Sequence, residues 1–397
     1  MLSPSPARRR RLWPVFIMPA VVLVLAIGWS AFWFYAASQV DVQFDGWRTR
    51  EAKSGRTYEC SNRSVAGYPF RLEVRCADPV ISLIAQTAQQ IATRTPLTAK
   101  LKEILAIAQI YNPRLVIAEF TGPATVATTG QAPFATAKWS LGRASVAGLP
   151  DIPQRVSLEF NDPAIDRLDG GNPTQLLRAK HLEWHGRLLD GSTPANPVIE
   201  TVLELTGASL QGIHPVLADP FDANIRAQLR GLKDFSPKPW PERFREIQAA
   251  GGRIDFTESR LQQGDTLAVA AGSLGLTADG YLEGELQMTV AGMERLIPAL
   301  GLEKAMEQGV SQSSVDRVAP GVSAQDVNKV IGALDRMIPG LGNIARKNAN
   351  AGLAAGINLL GQQTTLEGRK AQAFKVTFTH GALLLGPFRV AQTPPLF

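Results

Sequence analysis

The sequence predicts a β-rich α+β fold: an N-terminal transmembrane helix, then a large, curved antiparallel β-sheet domain with covering helices. Three observations predict it. A basic cluster precedes 26 uncharged, mostly apolar residues, Leu12–Ala37. Beyond them, many short segments alternate apolar and polar side chains, the period of a strand with one buried face. A few stretches between them carry apolar residues at helical spacing. The expected organisation is a cytoplasmic tail over 1–11, an anchor over 12–37 and one periplasmic domain over 41–397, with a sub-boundary near 232–241 and a helical insertion over 293–360.

The anchor comes first. At 1.5 Å per residue, Leu12–Ala37 exceeds a hydrocarbon core of about 30 Å. Pro14 and Pro19 lie near its start, where a helix tolerates proline best. Arg8, Arg9, Arg10 and Arg11 would hold the N-terminus in the cytoplasm, and Trp29, Trp33 and Tyr35 suit an interfacial belt at the far end. A cleaved signal peptide is the competing reading. It usually has about 7–15 apolar residues and a small-x-small site, whereas this run is longer and Tyr35-Ala36-Ala37 matches poorly. The same cluster explains the charge. The chain of 397 residues has a formal net charge of +6, but without the four arginines 37 basic face 35 acidic residues. A domain so nearly neutral has little drive towards phosphate backbones, and no nucleic-acid partner is expected. A mean hydropathy of −0.02 leaves room for very few further spans.

With the N-terminus inside, the domain lies in an oxidising compartment, where Cys60 and Cys76 read as a disulfide. Residues 56–77 read as a hairpin turning at Gly67-Tyr68-Pro69-Phe70, with the two cysteines directly opposed. Two amphipathic helices are expected next: one through Ile81, Ile84, Ala88 and Ile91, another through Leu101, Ile104, Leu105, Ala108 and Tyr111. Strands follow at 112–120, 136–147, 155–160, 178–188, 198–206 and 223–230. Pro241 starts a short helix carrying Phe244 and Ile247, stopped by Gly251-Gly252. A meander follows at 253–257, 266–271, 274–278 and 281–290, with Asp279-Gly280 as a two-residue turn. Helical spacing occupies much of 293–360, and a hairpin through His380-Gly381 closes the chain. No long repeat stands out; the hairpins share only their alternation. Ile225 and Leu229, with Leu282, Leu286, Met288 and Val290, are the candidate apolar sheet face.

Motifs that carry chemistry are scarce. Ala271-x-Ser273-x-Gly275 lacks the first glycine of a nucleophile elbow and sits in a meander. Gly340-Leu341-Gly342 follows a helix rather than the strand a dinucleotide fingerprint needs. His181, Glu183 and His185 would share one strand face, yet alternate positions are about 6.6 Å apart, wide for ligands around one ion. A polar strand face is the better reading, so neither metal, cofactor nor enzyme activity is expected.

The segment Cys60-Ser61-Asn62-Arg63-Ser64-Val65-Ala66-Gly67-Tyr68-Pro69-Phe70-Arg71-Leu72-Glu73-Val74-Arg75-Cys76 resembles the hallmark of an uncharacterised bacterial envelope family, domain of unknown function 2125. The likeness continues through Tyr111-Asn112-Pro113, Phe120-Thr121-Gly122-Pro123, Asp279–Gly284 and Leu385-Gly386-Pro387. The anchor and meander are also similar, more loosely, to AsmA-like envelope proteins. That second resemblance implies a curved sheet holding or conducting lipid along its apolar face. The functional expectation is therefore a single-pass protein of the bacterial inner membrane whose apolar sheet groove binds or conducts a phospholipid or other acyl chain. The alternative is a non-enzymatic structural or interaction module that docks an envelope protein partner.

Overall fold

A computed structural model describes residues 13–53, 55–83, 96–168, 172–193, 196–212, 215–235, 238–293, 361–385 and 388–397, with Gln312, Ser323 and Gln325. Arg8–Arg11, the expected first helix beyond Leu83 and nearly all of the insertion over 293–360 lie outside them; Ile81, where that helix is expected to start, is in a strand, Val80–Leu83. The chain is one long apolar helix followed by a large antiparallel sheet, a β-rich α+β fold.

Helix α1 runs Trp13–Lys53, 41 residues, well past Ala37. Charge ends the apolar run but not the helix, because Ser38–Lys53 packs along two strands that lack a neighbour on that side. These are β1 (Arg56–Glu59) and β2 (Asn62–Ala66), each paired on one edge only among the described residues. Trp47 packs against Tyr58 at 4.5 Å between ring centroids, the rings tilted by 40°. Asp41 pairs with Arg63 at 2.6 Å and Glu51 with Arg56 at 2.6 Å. Burial first, then the neighbouring Glu51 carboxylate, pushes the Tyr58 phenol up. So α1 combines an apolar half with a half that covers a sheet edge.

The next strands share one plan. β3 (Arg71–Ala77) lies in a main sheet, turns a corner at Asp78-Pro79 and continues as β4 (Val80–Leu83) in a second, shorter sheet. β5 (Leu97–Lys100) returns through a corner at Leu101-Lys102 into β6 (Glu103–Gln109). The plan recurs in β7 (Asn112–Thr121) and β8 (Ala124–Thr128) around Gly122-Pro123, and in β9 (Pro133–Lys138) and β10 (Leu141–Ala147) around Trp139-Ser140. It recurs again in β11 (Arg155–Asn161) and β12 (Ala164–Arg167) around Asp162-Pro163, and in β13 (Thr174–Arg178) and β14 (His181–Leu188) around Ala179-Lys180. Asp78 and Asp162 take left-handed backbone, φ 45° and 50°, which aspartate tolerates better than most residues. The proline after each lacks an N–H where the ladder breaks. Backbone bonds stitch the corners together, Leu101 N to Pro79 O at 3.2 Å and Ala179 N to Pro163 O at 3.0 Å. Trp139 fills its corner, donating to Phe120 O at 2.8 Å. A repeat of roughly forty residues thus exists after all, marked by Pro79, Pro123 and Pro163.

β15 (Ile199–Leu210) crosses both sheets with a register shift around Gly207. The main sheet then runs on through β16 (Phe221–Leu229), β17 (Arg253–Gln263), β18 (Thr266–Leu276), β19 (Leu282–Ala291) and β21 (Arg369–Thr379). β20 (Gln362–Leu366) and β22 (Ala382–Leu385) share the far side of β21, and β23 (Phe388–Gln392) pairs with β22. Helix α2 (Trp240–Ala249) sits between β16 and β17, with Pro241 in its first turn.

Four further expectations need correction. The helix through 101–111 is instead a corner, strand β6 and a turn. Ile104-Leu105-Ala106-Ile107-Ala108 is apolar on both faces, so its spacing fits either element, and pairing with β3 and β7 decides for a strand. The single strands expected over 136–147 and 178–188 are each broken at a corner. The segments 266–271 and 274–278 form one strand, β18, and its turn into β19 spans Thr277–Tyr281 rather than two residues. Finally, Cys60 lies outside the β2–β3 ladder, where Arg63, not Cys60, faces Cys76.

Candidate functional site

One face of the main sheet carries a cross-strand row of apolar side chains. From β2 to β7 it passes Val65, Val74, Ala106 and Ala118; from β10 to β15 it passes Ala144, Leu158, Trp184 and Leu203. It continues through Ile225, Ser259, Ala270 and Met288 to Phe374 on β21. Ser259 is the one polar member, and its buried Oγ has no hydrogen-bond partner among the described residues. All six residues expected on an apolar face lie here. Leu229 on β16 and Leu282 on β19 flank the row on one side, Val290 on the other, and Leu286 stands beside Met288. Most of the row is half-buried, whereas Phe374 is only 2% exposed.

The opposite face is polar and laced with ion pairs, Arg143–Glu119 at 3.2 Å and Lys375–Glu285 at 2.6 Å among them. His181, Glu183 and His185 belong to it. One Glu183 carboxylate meets both imidazoles, His185 Nε2 at 3.0 Å and His181 Nε2 at 3.5 Å. Their Nδ1 atoms meet Ser157 Oγ and Asn161 Oδ1 at 2.8 and 2.6 Å. Among the described residues no group of three such side chains is placed to hold a metal ion.

At one end of the apolar face, α2 and the loop before it roof a cavity of about 470 Å³. Its floor is Trp184, Ile199, Leu229, Ile254, Leu274 and Leu282; its roof is Phe235, Trp240, Phe244 and Ile247. Such a volume lies within the usual range for small-molecule sites, about 300–1,000 Å³. The polar side of α2 is clasped at the rim. The Arg243 guanidinium donates to Glu246 Oε1 at 2.6 Å and to Asp234 O at 3.0 Å, and Lys238 pairs with Glu246. Burial alone would push Glu246 up. Hydrogen bonds from Lys238, the Lys233 N–H and Arg243 outweigh it and hold the carboxyl below its ordinary range. The Glu246 bond in turn raises Lys238. Of the expected face residues, only Leu229 and Leu282 line this cavity. The roof went unread because Trp240, Phe244 and Ile247 form a short stripe that gives no sign of a void beneath it.

The cysteines do pair: Cys60 and Cys76 form a disulfide, Cα–Cα 5.4 Å. It ties the start of the bend between β1 and β2 to the end of β3. The Gly67–Phe70 turn lies at the other end of that hairpin, against α1. Gly67 has φ +99°, and a Cβ there would stand 2.7 Å from Arg71 O, so this position needs glycine.

A membrane-length helix joined to a disulfide-bonded antiparallel sheet defines a class, consistent with an extracytoplasmic domain. Within that class the chain belongs to the family described as uncharacterized protein conserved in bacteria (DUF2125), whose model matches residues 33–394. Comparison with curated proteins returned no match.

Proposed function

We infer that this is an uncleaved, single-pass inner-membrane protein, its N-terminus held in the cytoplasm by Arg8–Arg11, which binds an acyl chain on the apolar face of its main sheet. It works by binding rather than by catalysis. The carrying observation is the apolar row, interrupted only at Ser259, that leads to a cavity walled by hydrocarbon side chains. Asp234 and Arg243 at the rim are already engaged with each other, so the interior favours a chain over a polar substrate. Trp33, buried against the Gly67–Phe70 turn, supports an uncleaved helix, because cleavage near Ala37 would strip it away. The looser AsmA-like resemblance points the same way.

Native mass spectrometry of the full chain, purified in mild detergent, tests the reading. A co-purifying phospholipid or fatty acid is expected, and Leu282→Trp, which fills the cavity, should lower its occupancy at least several-fold. A lipid-free chain that also fails to bind added phospholipid would defeat it. Stoichiometric capture of an envelope protein in place of lipid would favour a docking module.

A further inference from the structure

The apolar end of α1 is bonded to the tip of the first main-sheet hairpin. The Trp29 indole N–H donates to Pro69 O at 2.8 Å, and the Trp33 indole N–H donates to Arg71 O at 2.9 Å. Ser30 Oγ and Tyr68 OH lie 2.8 Å apart, and Tyr68 packs edge-on to Trp33 at 5.5 Å. The level of this contact along the helix matters. From Trp13 to Trp33, α1 rises about 30 Å, the thickness of a hydrocarbon core. The turn therefore meets α1 where the helix leaves that core, not beyond it.

The side chains around the contact suit that depth. Tyr68, Phe70 and, on the neighbouring β6–β7 turn, Tyr111 are exposed by 54%, 63% and 66%. The two turns are joined, Ile110 N donating to Phe70 O at 3.0 Å. A cluster of exposed aromatic rings is a costly surface in water and the ordinary one at a bilayer interface. Polar groups that enter a low-dielectric layer need partners. Here the two indole N–H groups satisfy the carbonyls of Pro69 and Arg71, and Gly67 O accepts from Arg71 N at 3.1 Å.

Resting on the anchored reading above, we propose that the Gly67–Phe70 turn, with Tyr111 beside it, is seated in the outer interfacial layer of the bilayer as a second attachment point. The sheet is thereby held upright beside α1, with the proline corners and the short sheet directed away from the membrane. The occupant of this surface is phospholipid, at the boundary between headgroups and chains.

The test places photoreactive benzoylphenylalanine at Phe70, at Tyr111 or at Phe134, an exposed aromatic on β9 of the short sheet. Full-length chains are set in vesicles of phosphatidylethanolamine and phosphatidylglycerol, irradiated, and weighed intact. Phospholipid adducts are expected at 70 and 111 at least several-fold above those at 134. Equal labelling of all three, on chains whose mass retains α1, would overturn the proposal. A mass showing loss of α1 would overturn the anchored reading and this proposal with it. Benzoylphenylalanine at Leu229 separates this proposal from the cavity: lipid adducts there but not at 70 would leave acyl-chain binding standing and sink the seated turn. Hydroxyl-radical footprinting of the wild-type chain in the same vesicles needs no variant. Protection of residues 68–70 with labelling of Phe134 supports the proposal, and labelling of both opposes it.

Discussion

From β2 to β14, strands leave the main sheet at a corner and finish in the short sheet; from β16 to β21 they stay in the main sheet throughout. The first half bends at Asp78-Pro79, Gly122-Pro123 and Asp162-Pro163, where missing N–H groups interrupt the ladder. The second half has no such corner; its irregularities are register shifts within the ladder, one of them between Phe256 and Ser259 beside Gly272 on β18, φ +151°. The faces differ too. In the first half the row through Ala106, Ala144 and Leu158 is half-buried. In the second, Ala227, Leu274, Val290 and Phe374 are buried, and α2 roofs the end of the same face. One alternation pattern therefore serves both a packed core and a face left half open. What separates them is what lies over each strand, which alternation does not encode.

That contrast predicts an ordering of costs. Phe374→Ala should destabilise by about 3–5 kcal/mol, whereas Val116→Ala on the half-buried side should cost about 1 kcal/mol. Denaturant unfolding of both variants checks this, and equal costs would mean that the two halves are covered alike. Next comes the disulfide. Cys60→Ser with Cys76→Ser should cost about 3 kcal/mol on the chain-entropy model, read as a lowered melting temperature that reductant reproduces in the wild type.

Gly272→Ala should cost about 2 kcal/mol. The new Cβ would fall 2.2 Å from Glu285 O on β19, a backbone atom that cannot swing aside. Gly130→Ala, at φ +79° but in open space, adds backbone strain without a clash and should cost less, which separates the two contributions at Gly272.

The smallest effect concerns the α2 clasp. Glu246→Gln should cost about 1–2 kcal/mol at about pH 7. The folded-state value of Glu246 is lowered, so its contribution is complete above the ordinary carboxylate range and lost as pH falls through the lowered value. Lys238 is raised, so its share is complete below the ordinary lysine value and lost only as pH climbs past the raised one. The melting-temperature gap between wild type and Glu246→Gln should therefore shrink between about pH 7 and about pH 3. A gap that widens in acid would show that the clasp does not hold the roof.

Much of this fold was legible in single residues. Pro241 and Gly251-Gly252 bound α2 as read, and the alternation in Ala223–Arg230 named the right face of β16. Physical ambiguity accounts for the rest. Ile104–Ala108 is apolar on both sides, so only its neighbours in the sheet could make it a strand. The corners at Trp139-Ser140 and Ala179-Lys180 carry neither proline nor glycine to mark them. Their partners Pro123 and Pro163, one strand away, supply the break for both. Direct opposition of the cysteines fails because Cys60 stands outside the ladder, where Arg63 faces Cys76. For the candidate site, the face could be read and the void under α2 could not, since a cavity depends on how far apart two elements sit.

The edge-covering half of α1 has a consequence for assembly. An open strand edge is a template on which another chain can add. By lying along β1 and β2, residues 38–53 terminate the sheet on that side, as an end-cap terminates a stack. A proteolytic fragment beginning at Arg56 would keep every strand yet lose that terminator, and such fragments should polymerise edge to edge while the intact chain stays discrete.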